Sequence, residues 1–146
     1  IILLFHKQPY NMTSQQISTK TMLLSWISDD ILEIRPKPGW HEMETKEIAE
    51  GNLNVLNELA DGRKVAVLAY MPDHHLLPEA RKVYKSPALP VTCIAMIANS
   101  VIKKMLANML IATFGSDGPG PTRVFTKRRD ALEWIAQKHA QQSDVA

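Results

Sequence analysis

Apolar positions cluster in two short stretches near the start of the chain, 21–27 (TMLLSWI) and 31–36 (ILEIRP). Ser28-Asp29-Asp30 lies between them, and short polar residues of this kind tolerate turn geometry, so the pair is predicted to form a β-hairpin. In the second strand Leu32 and Ile34 point one way and Glu33 and Arg35 the other, the pattern of a strand with one wet face. Pro36 and Pro38 end it, because proline has no N–H to give to a ladder. Two later runs, VAVLAYM (65–71) and VTCIAMIA (91–98), are apolar almost throughout. Runs of this length between breakers predict strands buried on both faces, as in a parallel sheet covered by helices. TRVF (122–125) is a short last strand.

The intervening segments change period. In 42–60, Ala49, Leu53, Leu56 and Ala60 recur at helical spacing beside Ile48, Val55 and Leu59, predicting a helix. Glu42, Glu44 and Glu47 sit near its start, where the helix dipole favours negative charge. Asp61-Gly62 supplies the left-handed residue on which helices commonly stop. Helical patterns follow at 78–86 and 100–114, and Thr126 is placed to cap a last helix over 127–140 with Ala131, Leu132 and Ile135 inward. The predicted order is β-β-α-β-α-β-α-β-α, an α/β fold with right-handed crossovers between parallel strands.

Composition narrows what such a fold does. The chain has 146 residues, 45% of them hydrophobic, enough for one core without disulfides or metals. Seventeen basic against fifteen acidic residues leave a formal net charge of +2, too small a field for a dedicated nucleic-acid binder. Cys93 is the single cysteine, so there is neither an intramolecular disulfide nor a Cys-based zinc cluster; its place in an apolar run predicts an unreactive core residue. No apolar run reaches the roughly 18–20 residues that span a bilayer. The front of the chain lacks the basic, apolar and small-residue parts of a signal peptide, so a cytoplasmic protein is expected. Residues 1–20 read as a disordered or mis-assigned leader, with Met12 as a plausible start, 21–140 as one domain and 141–146 as a frayed tail.

The second half carries a resemblance. Ala80–Leu89 (ARKVYKSPAL), Ala98–Leu110 (ANSVIKKMLANML) and Pro121–Ile135 (PTRVFTKRRDALEWI) are similar to small bacterial members of the STAS-like family, the fold of sulphate-transporter and anti-sigma-factor-antagonist domains. The resemblance is most specific at Pro121-Thr122-Arg123, Phe125-Thr126 and Ala131-Leu132-Glu133-Trp134. It implies a mixed sheet with helices packed on it, a small protein often paired as a homodimer, and no established activity. Antagonists of this type carry a phosphorylatable Ser between the strand ending near Tyr70 and the next helix. Here that stretch reads Met71-Pro72-Asp73-His74-His75-Leu76, with no Ser or Thr from Ala69 to Tyr84. A serine switch is therefore not implied, and Asp73 is left as a candidate permanent charge in its place.

Ligands of open α/β sheets bind outside the carboxyl ends of the parallel strands. That rim gathers Asp73, His74, His75, Asn99, Ser100 and Thr126. Asp73-His74-His75 is the nearest approach to an acid–base or metal cluster, but adjacent histidines in a loop diverge, and no third ligand is evident. Ser100 reads first as an N-cap; with Lys103 or Lys104 it could hold an anion at a helix start. The glycines of GSDGPGP (115–121) follow a helix and precede a strand, the reverse of a phosphate loop. Arg123, Lys127, Arg128 and Arg129 form a basic patch partly at a helix start, against the dipole, and could meet an acidic partner or an anionic headgroup. Helix 100–114 is apolar nearly all round, through Val101, Ile102, Met105, Leu106, Met109, Leu110, Ile111 and Phe114, which points to a subunit interface or a pocket besides the sheet contact. No nucleophile, metal set or cofactor motif is apparent. The expected function is a non-catalytic interaction or regulatory module that binds a protein partner, itself or a small anion at the rim. The alternative is a carrier of an apolar or anionic, lipid-like ligand near Met105, Met109 and Phe114.

Overall fold

The computed structural model describes residues 15–86, 90–114 and 120–145. Its strands are β1 (Gln16–Ser18), β2 (Met22–Ser28), β3 (Ile31–Pro36), β4 (Val65–Tyr70), β5 (Val91–Ile97) and β6 (Thr122–Phe125). Its helices are α1 (Lys46–Ala60), α2 (Pro78–Tyr84), α3 (Val101–Phe114) and α4 (Arg128–Val145). The six strands form one sheet in sequence order. β1, β2 and β3 pair antiparallel, and β3 to β6 run parallel.

The hairpin, the parallel sheet and the helix order match the sequence pattern, and the differences lie mostly at the ends of elements. β1 lies inside the stretch read as a leader. It is three residues long, too short for any period to register, and the unpaired edge of β2 holds it. The remaining calls on the front end, Met12 among them, lie outside the described residues. At the other end α4 runs on to Val145 where a frayed tail from residue 141 was expected. The first helix starts at Lys46, four residues later than its apolar pattern allowed, because Thr45 takes an extended conformation and its hydroxyl accepts from the Ile48 N–H at 3.3 Å. Only Glu47 is then left in the first turn. The helix stops on Asp61, at φ 51°, and Gly62, at φ 78°, so the left-handed geometry expected of Gly62 begins one residue earlier, on an aspartate that tolerates it.

The two faces of the sheet are packed differently. On one, Ala66, Leu68, Cys93, Ala95 and Ile97 meet Ala131, Trp134 and Ile135 of α4 in a closed layer. On the other, Leu24, Leu32, Val65 and Val67 pack under Leu56 and Ala60 of α1, while Ala107 of α3 covers Val124 near β6. β5 shows the contrast along a single strand: Val91, Cys93, Ala95 and Ile97 are buried, and Thr92, Ile94 and Met96 are half-buried. The apolar run was expected to be covered on both sides. α2, only seven residues long, contributes Ala80 to the interior and leaves the middle of β5 uncapped.

Candidate functional site

Beneath that gap is a cavity of about 300 Å³. Met22, Leu53, Leu56, Val67, Ile94 and Met96 supply its walls, from β2, α1, β4 and β5, and the surface facing the space is almost wholly carbon. At one end it meets a polar cluster. Glu44, in the connection before α1, is 1% exposed. Its carboxylate accepts from the Thr21 hydroxyl at 2.7 Å and from the Tyr84 hydroxyl at 2.5 Å. Asn52 donates to the Thr21 oxygen at 2.9 Å and to the Tyr84 oxygen at 2.8 Å. His74 Nε2 lies 3.4 Å from the same carboxylate, with its side chain 5% exposed. Burial, reinforced by the neighbouring carboxylate and opposed by the Asn52 donor, raises the Tyr84 pKa well above the usual tyrosine range, so the hydroxyl keeps its proton.

This cluster is held by backbone as well. The Glu44 N–H donates to the His75 carbonyl at 2.9 Å, and the Leu77 N–H donates to the Glu44 carbonyl at 3.0 Å. The connections before α1 and before α2 are thereby tied together over the cavity. The polar atoms satisfy one another, so the cavity offers its occupant carbon surface rather than free hydrogen-bonding groups.

A second groove, of about 420 Å³, lies at the carboxyl ends of the strands. Asp73, His74 and Asn99 line it, together with Arg35, Lys37 and Tyr70. Tyr70 and His74 border both spaces. Asp73 is exposed and ion-paired with Lys103, whose hydrogen bond holds its carboxyl below the usual range. The adjacent histidines diverge: His74 turns inward, and His75 is exposed. Ser100 caps α3, its hydroxyl accepting from the Lys103 N–H at 3.1 Å.

The basic residues do not gather there as one patch. Arg128 pairs with buried Glu33 and donates to the Tyr70 hydroxyl at 3.2 Å, and Arg35 donates to the same two partners. Arg123 lies over the Phe125 ring, 5.3 Å from its centroid. Thr126 and Lys127 are exposed beyond the end of β6. The Lys127 carbonyl accepts from Ala131 N–H at 3.2 Å, so Lys127 occupies the capping position expected of Thr126. The rim thus unites Asp73, His74 and Asn99 in the groove. It leaves Ser100 as a cap and places Arg123, Thr126 and Lys127 at the sheet edge.

The carrier alternative put its pocket beside α3. Met105 and Met109 are 64% and 65% exposed and do not line the cavity; the side chains of Leu110, Ile111 and Phe114 lie outside the described residues. The glycines of 115–119 do too, but Gly120 is described: a Cβ there would come within 3.0 Å of the Thr92 carbonyl oxygen, so its glycine serves a close backbone approach. Cys93 is buried, and burial pushes its thiol pKa up, as an inert core residue requires. Among the described residues no three His, Cys, Asp or Glu side chains converge as a metal site would need, and no helix is long and apolar enough to cross a membrane.

The sheet order, the four helices and the rim define a STAS-like, SpoIIAA-like α/β fold. A solved structure of an uncharacterized protein of the DUF3478 family from Shewanella loihica PV-4, described as having a SpoIIAA-like fold, superposes with a TM-score of 0.55 over 83% of this chain and 97% of that one, at 18% identity. The chain belongs to the DUF7793 family, a domain of unknown function whose model matches residues 25–139. No curated protein matches its sequence.

Proposed function

We propose that the protein is a non-catalytic binding module that takes a small apolar molecule into the cavity between α1, α2 and the sheet. The observation that carries this reading is Ile94 and Met96, half-exposed at the centre of the sheet as the floor of a space of about 300 Å³. A central strand normally buries such residues, and a carbon-walled concavity of this size is at the lower end of the range for small-molecule sites. The almost wholly carbon lining favours an uncharged, apolar ligand. The test is titration of the full chain with an apolar fluorescent probe, alongside a Met96→Trp variant that fills the space. Saturable binding at one site, lost in the variant while its far-ultraviolet circular dichroism is unchanged, supports the reading. Equal binding by both proteins overturns it.

A second reading has its own observation. The rim groove brings Asp73, His74 and Asn99 together with Arg35 and Lys37, which favours recognition of a protein partner or a small anion there. Asn99 is exposed, so Asn99→Arg would obstruct the groove without touching the core. Recovery of a partner from the native host that this variant abolishes, with probe binding in the cavity intact, would favour the rim.

A further inference from the structure

The side chains of the rim groove are rich in donors and poor in acceptors. Its charged lining is Arg35, Lys37 and Asp73, and Asp73 is already held by Lys103 of α3. Glu33, 7% exposed, is answered twice: Arg35 Nε donates to one carboxylate oxygen at 2.9 Å, and Arg128 donates to the other. One carboxylate against two guanidiniums leaves a positive charge over. Arg35, the guanidinium that lines the groove, is exposed. Lys37 adds a second charge, since its Nζ donates to a neutral group, the Thr19 carbonyl at 3.2 Å.

Two neutral donors belong to the same lining. The Tyr70 hydroxyl accepts from Arg35 and from Arg128, at 3.2 Å each, and neither bond uses its own proton. Trp40, in the connection after β3, lines the groove too. Its Nε1–H is the one buried side-chain polar group among the described residues without a hydrogen-bond partner. Such orphans are rare in folded chains, because a buried donor without an acceptor is costly. Nor is this one on a loose loop. The Lys37 N–H donates to the Thr21 carbonyl at 2.8 Å, the Trp40 N–H donates to the Lys37 carbonyl at 3.4 Å, and Gly39 takes the φ of 87° that the turn requires. Lys20 Nζ stands 5.8 Å from the centroid of the indole ring, a further cation beside it.

A cation is repelled from this lining, and an apolar molecule leaves its donors unanswered. We propose that the rim groove binds a small organic oxyanion, a carboxylate or a phosphate ester, with Arg35 and Lys37 pairing with its charge and the Trp40 Nε1–H and Tyr70 O–H donating to its oxygens. A guanidinium fork matches either oxyanion. The groove, at about 420 Å³, has room for more than the anionic group, and Leu23, Pro36 and Met71 in its lining give the organic part carbon to rest on. This inference rests on the rim reading, takes the small anion rather than the protein as its occupant, and is independent of the cavity.

The test uses benzoate, phenyl phosphate and benzylamine, which carry a carboxylate, a phosphate and an ammonium on one kind of ring. Each is titrated into the isotope-labelled full chain, and the indole N–H signals of Trp26, Trp40 and Trp134 are followed by NMR, with Trp40→Phe assigning the second. The Trp40 signal should move saturably with benzoate or phenyl phosphate, the stronger of the two naming the oxyanion, and stay still with benzylamine. Added salt should weaken the response. Arg35→Gln should lower the affinity about tenfold or more, as loss of a charge-assisted hydrogen bond does. Lys37→Gln leaves the Glu33 pairs intact, so it stands in where Arg35→Gln fails to fold, and it should lower the affinity several-fold. No saturable movement with either anion, an equal response to benzylamine, or wild-type affinity in Lys37→Gln overturns the proposal. Should that happen while Asn99→Arg still abolishes recovery of a partner, the rim reading stands and its occupant is a protein.

Discussion

The face of the sheet under α4 and the face under α1 to α3 are made from alternate residues of the same strands, yet only one is finished as a core. Under α4 the strands present small residues, Ala66, Cys93 and Ala95, and the helix answers with Ala131. Small side chains on both sides let helix and sheet approach closely, and the larger Ile135 fills what remains at zero exposure. On the opposite face the strands present Ile94 and Met96, but the cover is divided among three helices, one of them a stub. The contrast teaches that an apolar side chain in a central strand need not be structural. Where its cover is absent, it is surface held ready for something else.

Two truncations of the same type sharpen this. Ile135→Ala, in the closed layer, should cost about 2–5 kcal/mol by urea unfolding, because transfer and cavity terms add. Ile94→Ala, over the existing space, should cost less than about 1.5 kcal/mol, since the removed atoms were only half-buried and the cavity is already there. Equal losses would mean that the open face is packed after all. Next in size is Glu44→Ala, expected to cost about 2–3 kcal/mol, because the Thr21 and Tyr84 hydroxyls lose their acceptor while remaining in a buried setting. A much smaller loss would show that their hydroxyls find partners without the carboxylate.

Most of the layer structure was legible from periodicity. The hairpin of β2 and β3, the parallel pair β4 and β5, and the inward faces of α1 and α4 followed from apolar spacing, because burial and spacing report the same thing. The cavity was not legible. A run such as Val91–Ala98 reads alike whether both of its faces are covered or one is open, since cover depends on the length and path of distant helices. Nor was Glu44 recognised: three glutamates near an apolar repeat read as dipole partners, and only Thr45, by capping at that residue, leaves Glu44 outside the helix. One signal did exist. Asn52 falls between Ala49 and Leu56 on the apolar stripe of α1, and a polar residue on such a stripe requires a buried partner. The rim residues were named from topology alone, and topology places loops at one end of a sheet without saying which of their side chains face each other. That is why Asp73, His74 and Asn99 meet in a groove while Arg123 and Thr126 do not.

A smaller effect separates the two faces by pH. Tyr84, on the open face, has its pKa raised above the ordinary 10.0. A raised folded-state value contributes stability that is complete below the unfolded pKa and is lost as pH rises through and beyond it. The wild type should therefore lose stability from about pH 10 upward, with a steeper alkaline limb than Tyr84→Phe. At neutral pH the variant should be weaker by about 1 kcal/mol, the value of a typical buried hydrogen bond. Parallel alkaline limbs would place the titration elsewhere.

The smallest expected effect belongs to Asp73, and its smallness is informative. Lys103 holds its carboxyl below the ordinary 3.8, so any contribution is present above that pH and lost as pH falls through the folded value. The pair is exposed and screened by solvent and salt. Asp73→Ala should therefore unfold at nearly the wild-type urea midpoint at neutral pH, with what difference there is vanishing in acid and in high salt. A large loss of stability would make Asp73 a structural tie between the rim loop and α3. With stability unchanged, a rim-binding partner whose recovery drops in Asp73→Ala and returns in Asp73→Glu would show that the negative charge at this place is itself what is read.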